Sequence, residues 1–500
     1  MIEAYGRRRR FVKESMFRRL PILITAVFSA FAVASGSARA QAVPVPVPVP
    51  TLSPTPTNQT AKATPTSAPN AFTYSGTLRA YNFVRQNSPQ NAANPNRSAF
   101  APGGSIHTDY RFLSSPVRVG TTYFASDSLG LYGRRPQPQF NGKLDNTLPT
   151  SALATFDEAY LNYHSAGIDA TVGDKIFNFL WAPSSDSRLK PAAYQGLDVN
   201  ATLMKGVTVG VTRIVRFENR TSSAFTANTL LTSQPEGNSA GPIIKNTSGA
   251  LRAYFAASVG PFAAHIENYS FYDLANLAYA DAKYTVLPKS PYVPFVAAQY
   301  VSERNAGKSY LGQIRNNTIG FQIGANFTKE VSATFGFDSA PTQYADVFTT
   351  TASRATRGLF LPGGGTTSSA LIAPGHYRVA YGGIASPYSD SYATDPLYTT
   401  SISQGMVDRR SAGTSYKLAA QYLSANKRLK AIASEAYYQY DNVLAENRTF
   451  EDDVDVQYFF NPVKAGTYKG FSVRQRFANR DQPTIPYDFK YIRTQLEYDF

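Results

Sequence analysis

From residue 72 to residue 500 the sequence is a succession of segments of about 10 residues in which every second side chain is apolar. NTIGFQIGANFT (317–328) puts Ile319, Phe321, Ile323, Ala325 and Phe327 on one face and Gly320, Gln322, Gly324 and Asn326 on the other. GALRAYFAASVG (249–260) sets Leu251, Ala253, Phe255, Ala257 and Val259 against Arg252, Tyr254 and Ser258. EDDVDVQYFF (451–460) and GFSVRQRFA (470–478) repeat the pattern. A period of two means strands, because successive strand side chains point to opposite faces.

The connections alternate as well. Short turns fall at 114–116, 164–167, 203–207, 259–261, 287–291, 328–330, 424–428 and 461–469. Long polar loops fall between them, at 86–105, 127–154, 178–193, 220–248, 304–316, 340–414, 442–450 and 479–487, with one very short connection near Asp273–Leu274. Counting up and down from Phe72 gives 18 strands that start and finish on the short-turn side. An even strand number with short turns on one side and long loops on the other predicts an all-β, antiparallel transmembrane barrel.

YIRTQLEYDF (491–500) carries Ile492, Leu496, Tyr498 and Phe500 on one face, with Thr494 among them, and Arg493, Gln495, Glu497 and Asp499 on the other. In a barrel the first face meets lipid and the second a polar lumen. This strand is expected to close the sheet against 72–85, and the aromatic Phe500 resembles the terminal signature read by the bacterial barrel-assembly machinery. Tyr74, Tyr110, Tyr123, Tyr163, Tyr458 and Tyr498 are expected in the interfacial girdles.

Residues 1–40 read as a signal peptide, with RRRR at 7–10, an apolar run from Pro21, and an Ala38-Arg39-Ala40 site that sets cleavage between Ala40 and Gln41. Met16 is an alternative initiator. Eight basic and two acidic residues lie in that segment, so its removal lowers the net charge from +15 to +9. Part of the basic balance is therefore targeting. Residues 41–70 are a Pro/Thr/Val-rich linker whose Val-Pro repeats favour extended polyproline II, and 71–500 form the barrel domain. The sequence has no Cys and only four His, at 107, 164, 265 and 376, without metal-ligand spacing. No cofactor is expected.

VGDKIFNFLWAPSSDSRLKPAAYQGLDV (172–199) resembles the strand–loop–strand of OprD-type porins, the outer-membrane carboxylate channels, through SSDSRLKP (184–191) and YQG (194–196). GFSVRQRFANRD (470–481) with the closing YIRTQLEYDF resembles the last hairpin of that family. The resemblance implies a monomeric, substrate-specific diffusion channel for small carboxylate-bearing nutrients. It also implies inward-folded loops forming an eyelet, and a ladder of basic side chains along the lumen. The length of the 340–414 loop and the Pro-rich leader depart from the family pattern.

The strand faces select candidates independently. Arg79, Arg111, Arg118, Lys175, Arg216, Arg252, Lys283, Lys417, Arg474, Arg476 and Arg493 fall on the non-lipid side. Against lipid each would cost about 2–4 kcal/mol at the midplane. A guanidinium suits a carboxylate because its fork meets both oxygens. The alternative is that these cations pair with wall carboxylates such as Asp109, Asp198, Glu435, Asp453, Asp455 or Glu497. Arg188 and Lys190 are the eyelet candidates, with Asp186 orienting Arg188 or meeting a substrate ammonium. Arg213 falls on the lipid face, which requires a headgroup-level position or a bulge.

His107 with Asp109 and His265 with Glu267 lack an accompanying nucleophile, which argues against a barrel hydrolase. The dispersed Lys and Arg form no nucleic-acid module. Outer basic residues suit the phosphates of lipopolysaccharide. A general trimeric porin is the rival channel reading.

Overall fold

The computed structural model describes residues 72–500 except 88–96, 113–114, 128–147, 150–151, 185–187, 231–244, 312–313, 350–352, 355–370, 373–374, 389–394, 410–411, 442–447, 464–467 and 482–488. The expected signal segment with its Ala40–Gln41 junction, and the 41–70 linker, lie outside the described residues.

The strands run in chain order β1 (Phe72–Asn87), β2 (Arg97–Arg111), β3 (Val117–Ser126), β4 (Leu153–Ser165), β5 (Ile168–Lys175), β6 (Ala193–Met204), β7 (Val207–Glu218), β8 (Ala250–Val259) and β9 (Phe262–Phe271). They continue with β10 (Ala275–Thr285), β11 (Phe295–Asn305), β12 (Arg315–Asn326) and β13 (Val331–Ala340). Next come β14 (Gln343–Thr349), β15 (Ser353–Arg354), β16 (Leu371–Ile372) and β17 (Gly375–Tyr381), which form two small pairs within the longest loop. The series ends with β18 (Gly413–Leu423), β19 (Leu429–Tyr440), β20 (Arg448–Phe459), β21 (Gly470–Asp481) and β22 (Phe489–Asp499).

All but β14–β17 belong to one 18-stranded antiparallel sheet, and β1 pairs with β22 as well as β2, so the sheet closes. Closure leaves no open edge in the bilayer, where each unpaired backbone group costs several kcal/mol. At the seam Phe500 and Gly76 exchange both backbone hydrogen bonds, at 3.0 and 3.2 Å. A Cβ on Gly76 would strike the Phe500 ring.

The outward face is apolar and exposed along most strands: Leu78, Ile106, Leu161, Val211, Ile266, Phe321, Ile323 and Leu496 all project from it. Tyr74, Tyr123, Tyr163, Tyr458 and Tyr498 stand exposed among them. No helix among the described residues is long and apolar enough to cross a membrane; the strands cross it. The one helix described is a single turn, Met406–Arg409.

One expected boundary is corrected. Ala101-Pro102-Gly103-Gly104, read as loop, lies inside β2 opposite Leu78–Tyr81. The glycine pair serves close packing rather than a turn: a Cβ on Gly103 would lie 2.9 Å from the Leu189 side chain, which arrives from an inward loop.

Candidate functional site

Described residues of two loops pack against the inward faces of the strands. The first, 176–192, follows β5. Its Phe177, Phe179, Trp181 and Ala182 are buried in a cluster with Tyr194, Tyr269, Phe271 and Tyr279. The Trp181 backbone N–H donates to the Tyr269 hydroxyl at 3.3 Å, and Tyr194 Oη donates to the Pro183 carbonyl at 3.2 Å. The aromatic run that reads in sequence as an apolar stretch is thus the packing surface of a lumenal loop.

The second comes from the longest connection. Ala385 N–H donates to Glu303 Oε2 at 2.7 Å, and Ser386 Oγ reaches the Trp181 carbonyl at 3.4 Å, so the two loops touch. Burial lifts the Tyr388 hydroxyl well above the ordinary tyrosine range, so it stays neutral against Tyr194 and Phe217. Residues 395–405 then run as a strap along the wall. Thr399 donates through N–H and Oγ1 to Asp338 Oδ2, at 2.8 and 2.7 Å. Ile402 N–H meets Asp453 Oδ2 at 3.1 Å, and Ser403 donates twice to Glu451, at 2.6 and 2.7 Å. Lys417 Nζ donates to the Thr400 carbonyl. The strap and wall enclose a recess lined by Thr400, Ile402, Lys417, Asp453, Asp455 and Arg476.

Most of the expected basic residues point inward, as their strand parity requires. Arg474 and Arg476 converge on Asp455: Arg474 Nε and Nη2 donate to its two oxygens at 2.8 and 2.7 Å, and Arg476 Nε adds a third bond at 2.8 Å. Arg493, fully buried, lies beside the Tyr81 and Phe83 rings. Arg79 pairs with Glu497 at 2.7 Å and reaches the Leu189 carbonyl at 3.4 Å. Arg111 and Arg118 stand opposite each other in the β2–β3 register, and Arg118 Nε donates to Asn162 at 2.7 Å. Lys175 binds Glu158 at 3.1 Å over the Tyr160 ring. Arg252 donates to Glu267 at 3.0 Å and is sandwiched by Phe179 and Tyr254. Lys283 stacks over Phe295.

Two expectations change. Lys190 does not line an open eyelet. It is fully buried, 2.8 Å from Asp157 and 3.4 Å from Glu218, and so rivets the first loop to the wall. Arg216 does not face the lumen. In β6–β7 Gln195 pairs with Arg216 but Gly196 pairs with Ile214, so Val215 is an extra residue and Arg216 joins Gln195 on the outward face. That outward parity continues to Asp174, which accepts from Gln195 Nε2 at 2.9 Å. Arg213 is outward as read, lying near the loop side with its guanidinium over Tyr272. Arg188 is half-buried beside Leu189, and Asp186 lies outside the described residues.

Sequence reading missed Lys430, which faces inward opposite Gln457, itself opposite Arg474. The alternation of Lys430, Ile432 and Ser434 was the available signal. It also missed a β-bulge in β4, where Glu158 pairs with Thr122 and Phe156 with Tyr123. The extra residue turns both Asp157 and Glu158 inward.

No family model matches the chain, and no curated protein does. Solved structures do share its fold. A BenF-like porin from Pseudomonas fluorescens Pf-5 aligns with a TM-score of 0.65 at 11% identity, covering 86% of this chain and 98% of that one. Pseudomonas aeruginosa OccK9 (OpdG) aligns at 0.61 with 15% identity over 86% and 98%. Pseudomonas aeruginosa OpdK, solved with vanillate, aligns at 0.60 with 12% identity over 85% and 98%. The chain therefore has the porin barrel fold of the OprD/Occ type.

Proposed function

We propose that this barrel, with the fold of the OprD/Occ-type porins, is an integral outer-membrane channel that passes small carboxylate-bearing solutes by diffusion through a lumen narrowed by its own loops. The observation that carries the reading is the run of inward cations on β18–β22 and β1: Lys417, Lys430, Arg474, Arg476, Arg493 and Arg79. A carboxylate stripped of water in a narrow passage regains partners from fixed guanidinium groups. Asp455 already holds Arg474 through a bidentate pair and Arg476 through a single bond, as a solute carboxylate would. Sharing between wall and solute keeps each stop weak enough to leave, which conduction demands. The fold neighbour solved with vanillate, a carboxylate, agrees with this solute class. No residue is asked to make or break a covalent bond. One chain closes its own cylinder, in keeping with a channel that works as a monomer.

Planar-bilayer recording tests the proposal. The expected result is small single-channel steps with anion preference, and a preference that falls in Arg474→Gln/Arg476→Gln. Cation preference, equal in wild type and variant, would overturn the carboxylate assignment. Large steps in groups of three would favour a general trimeric porin.

A further inference from the structure

Three outward-facing arginines fall on one cross-strand row of the lipid-facing wall. Arg213 lies opposite Leu251, Leu251 opposite Ser270, Ser270 opposite Asn276, Asn276 opposite Arg304, and Arg304 opposite Arg315. These residues form a single cross-strand row over β7–β12 on the loop side, above an apolar belt that includes Val211, Ile266, Tyr300 and Ile319. At about 4.8 Å per strand gap, Arg213 and Arg304 stand roughly 19 Å apart along the row.

Backbone groups and amides hold the Arg213 and Arg304 guanidinium groups in place. Arg213 donates to the Ala250 carbonyl at 3.2 Å and also to the Ser248 carbonyl. Arg304 donates to the Glu303 carbonyl at 2.7 Å and to Asn317 Oδ1 at 3.1 Å. Such partners orient a cation without cancelling its charge. Arg304 and Arg315 also face each other directly, and like charges across a strand pair repel. Between the two ends lies a surface recess lined by Arg213, Ser270, Tyr272, Asn276, Gly307 and Asp273. Its carboxylate, Asp273, is matched by Lys308, whose N–H it accepts at 3.2 Å and whose Nζ is 3.7 Å away. The corresponding outward rim of β19–β22 is balanced instead: Arg448 and Lys490 share it with Glu435, Asp452 and Asp481.

We propose that the β7–β12 rim binds the phosphorylated sugar headgroup of an outer-leaflet glycolipid. Two groups of arginine separated by hydroxyl and amide donors suit a headgroup with more than one phosphate better than a single phosphodiester. The assignment rests on the outer-membrane orientation proposed above, but not on the solute.

The test uses the full chain in dodecyl maltoside, with diphosphoryl lipid A, monophosphoryl lipid A and phosphatidylglycerol as probes. Retained lipid is read by native mass spectrometry and by the shift in unfolding temperature. Diphosphoryl lipid A is expected to bind at least about tenfold more tightly than phosphatidylglycerol, with the monophosphoryl form between them. Arg304→Gln/Arg315→Gln should lose about tenfold, whereas Arg304→Lys/Arg315→Lys retains most of the affinity, which separates charge from misfolding. Arg448→Gln/Lys490→Gln, on the balanced rim, should change it less than about twofold. Phosphatidylglycerol binding as tightly as diphosphoryl lipid A, or equal losses at the two rims, would overturn the site. Single-channel conductance and ion preference of the same variants are expected to be unchanged, so failure here is distinguishable from failure of the transport reading.

Discussion

Strands β9–β13 and strands β21–β3 stand across the lumen from each other, and their inward charges differ in sign and in use. The first wall presents Glu267, Asp281, Glu303 and Asp338, with Lys283 among them. The second presents Arg474, Arg476, Arg493, Arg79, Arg118 and Arg111, with Glu497 and Asp109 among them. Acceptors on the first wall take backbone N–H groups from the descending loop, at Ala385 and Thr399. A loop entering a barrel brings N–H donors that water no longer serves, and a carboxylate satisfies them strongly. Arginines have no such duty toward the backbone donors, so the opposite wall remains a set of oriented cations. One wall holds the inward loops in place, and in the proposed function the other would supply the field that a solute crosses.

The sharpest way to break that division is to unfasten a loop. Lys190→Met leaves Asp157 and Glu218 buried with their shared cation gone, and is expected to destabilise the folded barrel by about 3–5 kcal/mol in urea titrations. Acid strong enough to protonate both carboxylates should recover part of the loss. Removing a charge from the positioning wall comes next. Asp338→Asn removes the charge that receives two Thr399 donors, costing about 1.5–3 kcal/mol. It should raise single-channel conductance as the strap loosens; unchanged conductance with unchanged stability would mean that the strap is held elsewhere.

On the other wall, Asp455→Asn releases Arg474 and Arg476 from their shared acceptor, and anion preference in bilayer recordings should rise. Arg79→Gln gives the smallest expected effect, about 1 kcal/mol or less, because the Glu497 pair is partly open to solvent. A larger effect would show that the contact with the Leu189 carbonyl, rather than the pair, anchors the first loop.

The barrel was legible in sequence because lipid and lumen enforce a period of two on nearly every strand. NTIGFQIGANFT could be sorted by eye, and Ile319, Phe321 and Ile323 do face outward. The same rule fails wherever one residue is inserted. Arg216 was misplaced because the extra Val215 reverses parity within three residues of Arg213, and nothing in VTRIVRFE marks the slip. Lys190 was misread for a different reason. Its partners sit 33 and 28 positions away in the chain, on two other strands, and proximity of that kind exists only after the sheet has closed. Arg474 and Arg476 face inward as read because both lie on a regular strand.

The irregularity in β4 has a broader consequence. A regular strand can offer the channel one side chain for every two residues, so neighbouring functional groups must come from different strands. At the bulge two consecutive carboxylates share the interior: Asp157 fastens Lys190 of the lumenal loop, and Glu158 meets Lys175. A single inserted residue therefore joins mechanical support and electrostatic lining at one height. Moving that insertion by one position would turn one of the two carboxylates outward without altering composition, a route by which a barrel of fixed strand number can change its lining.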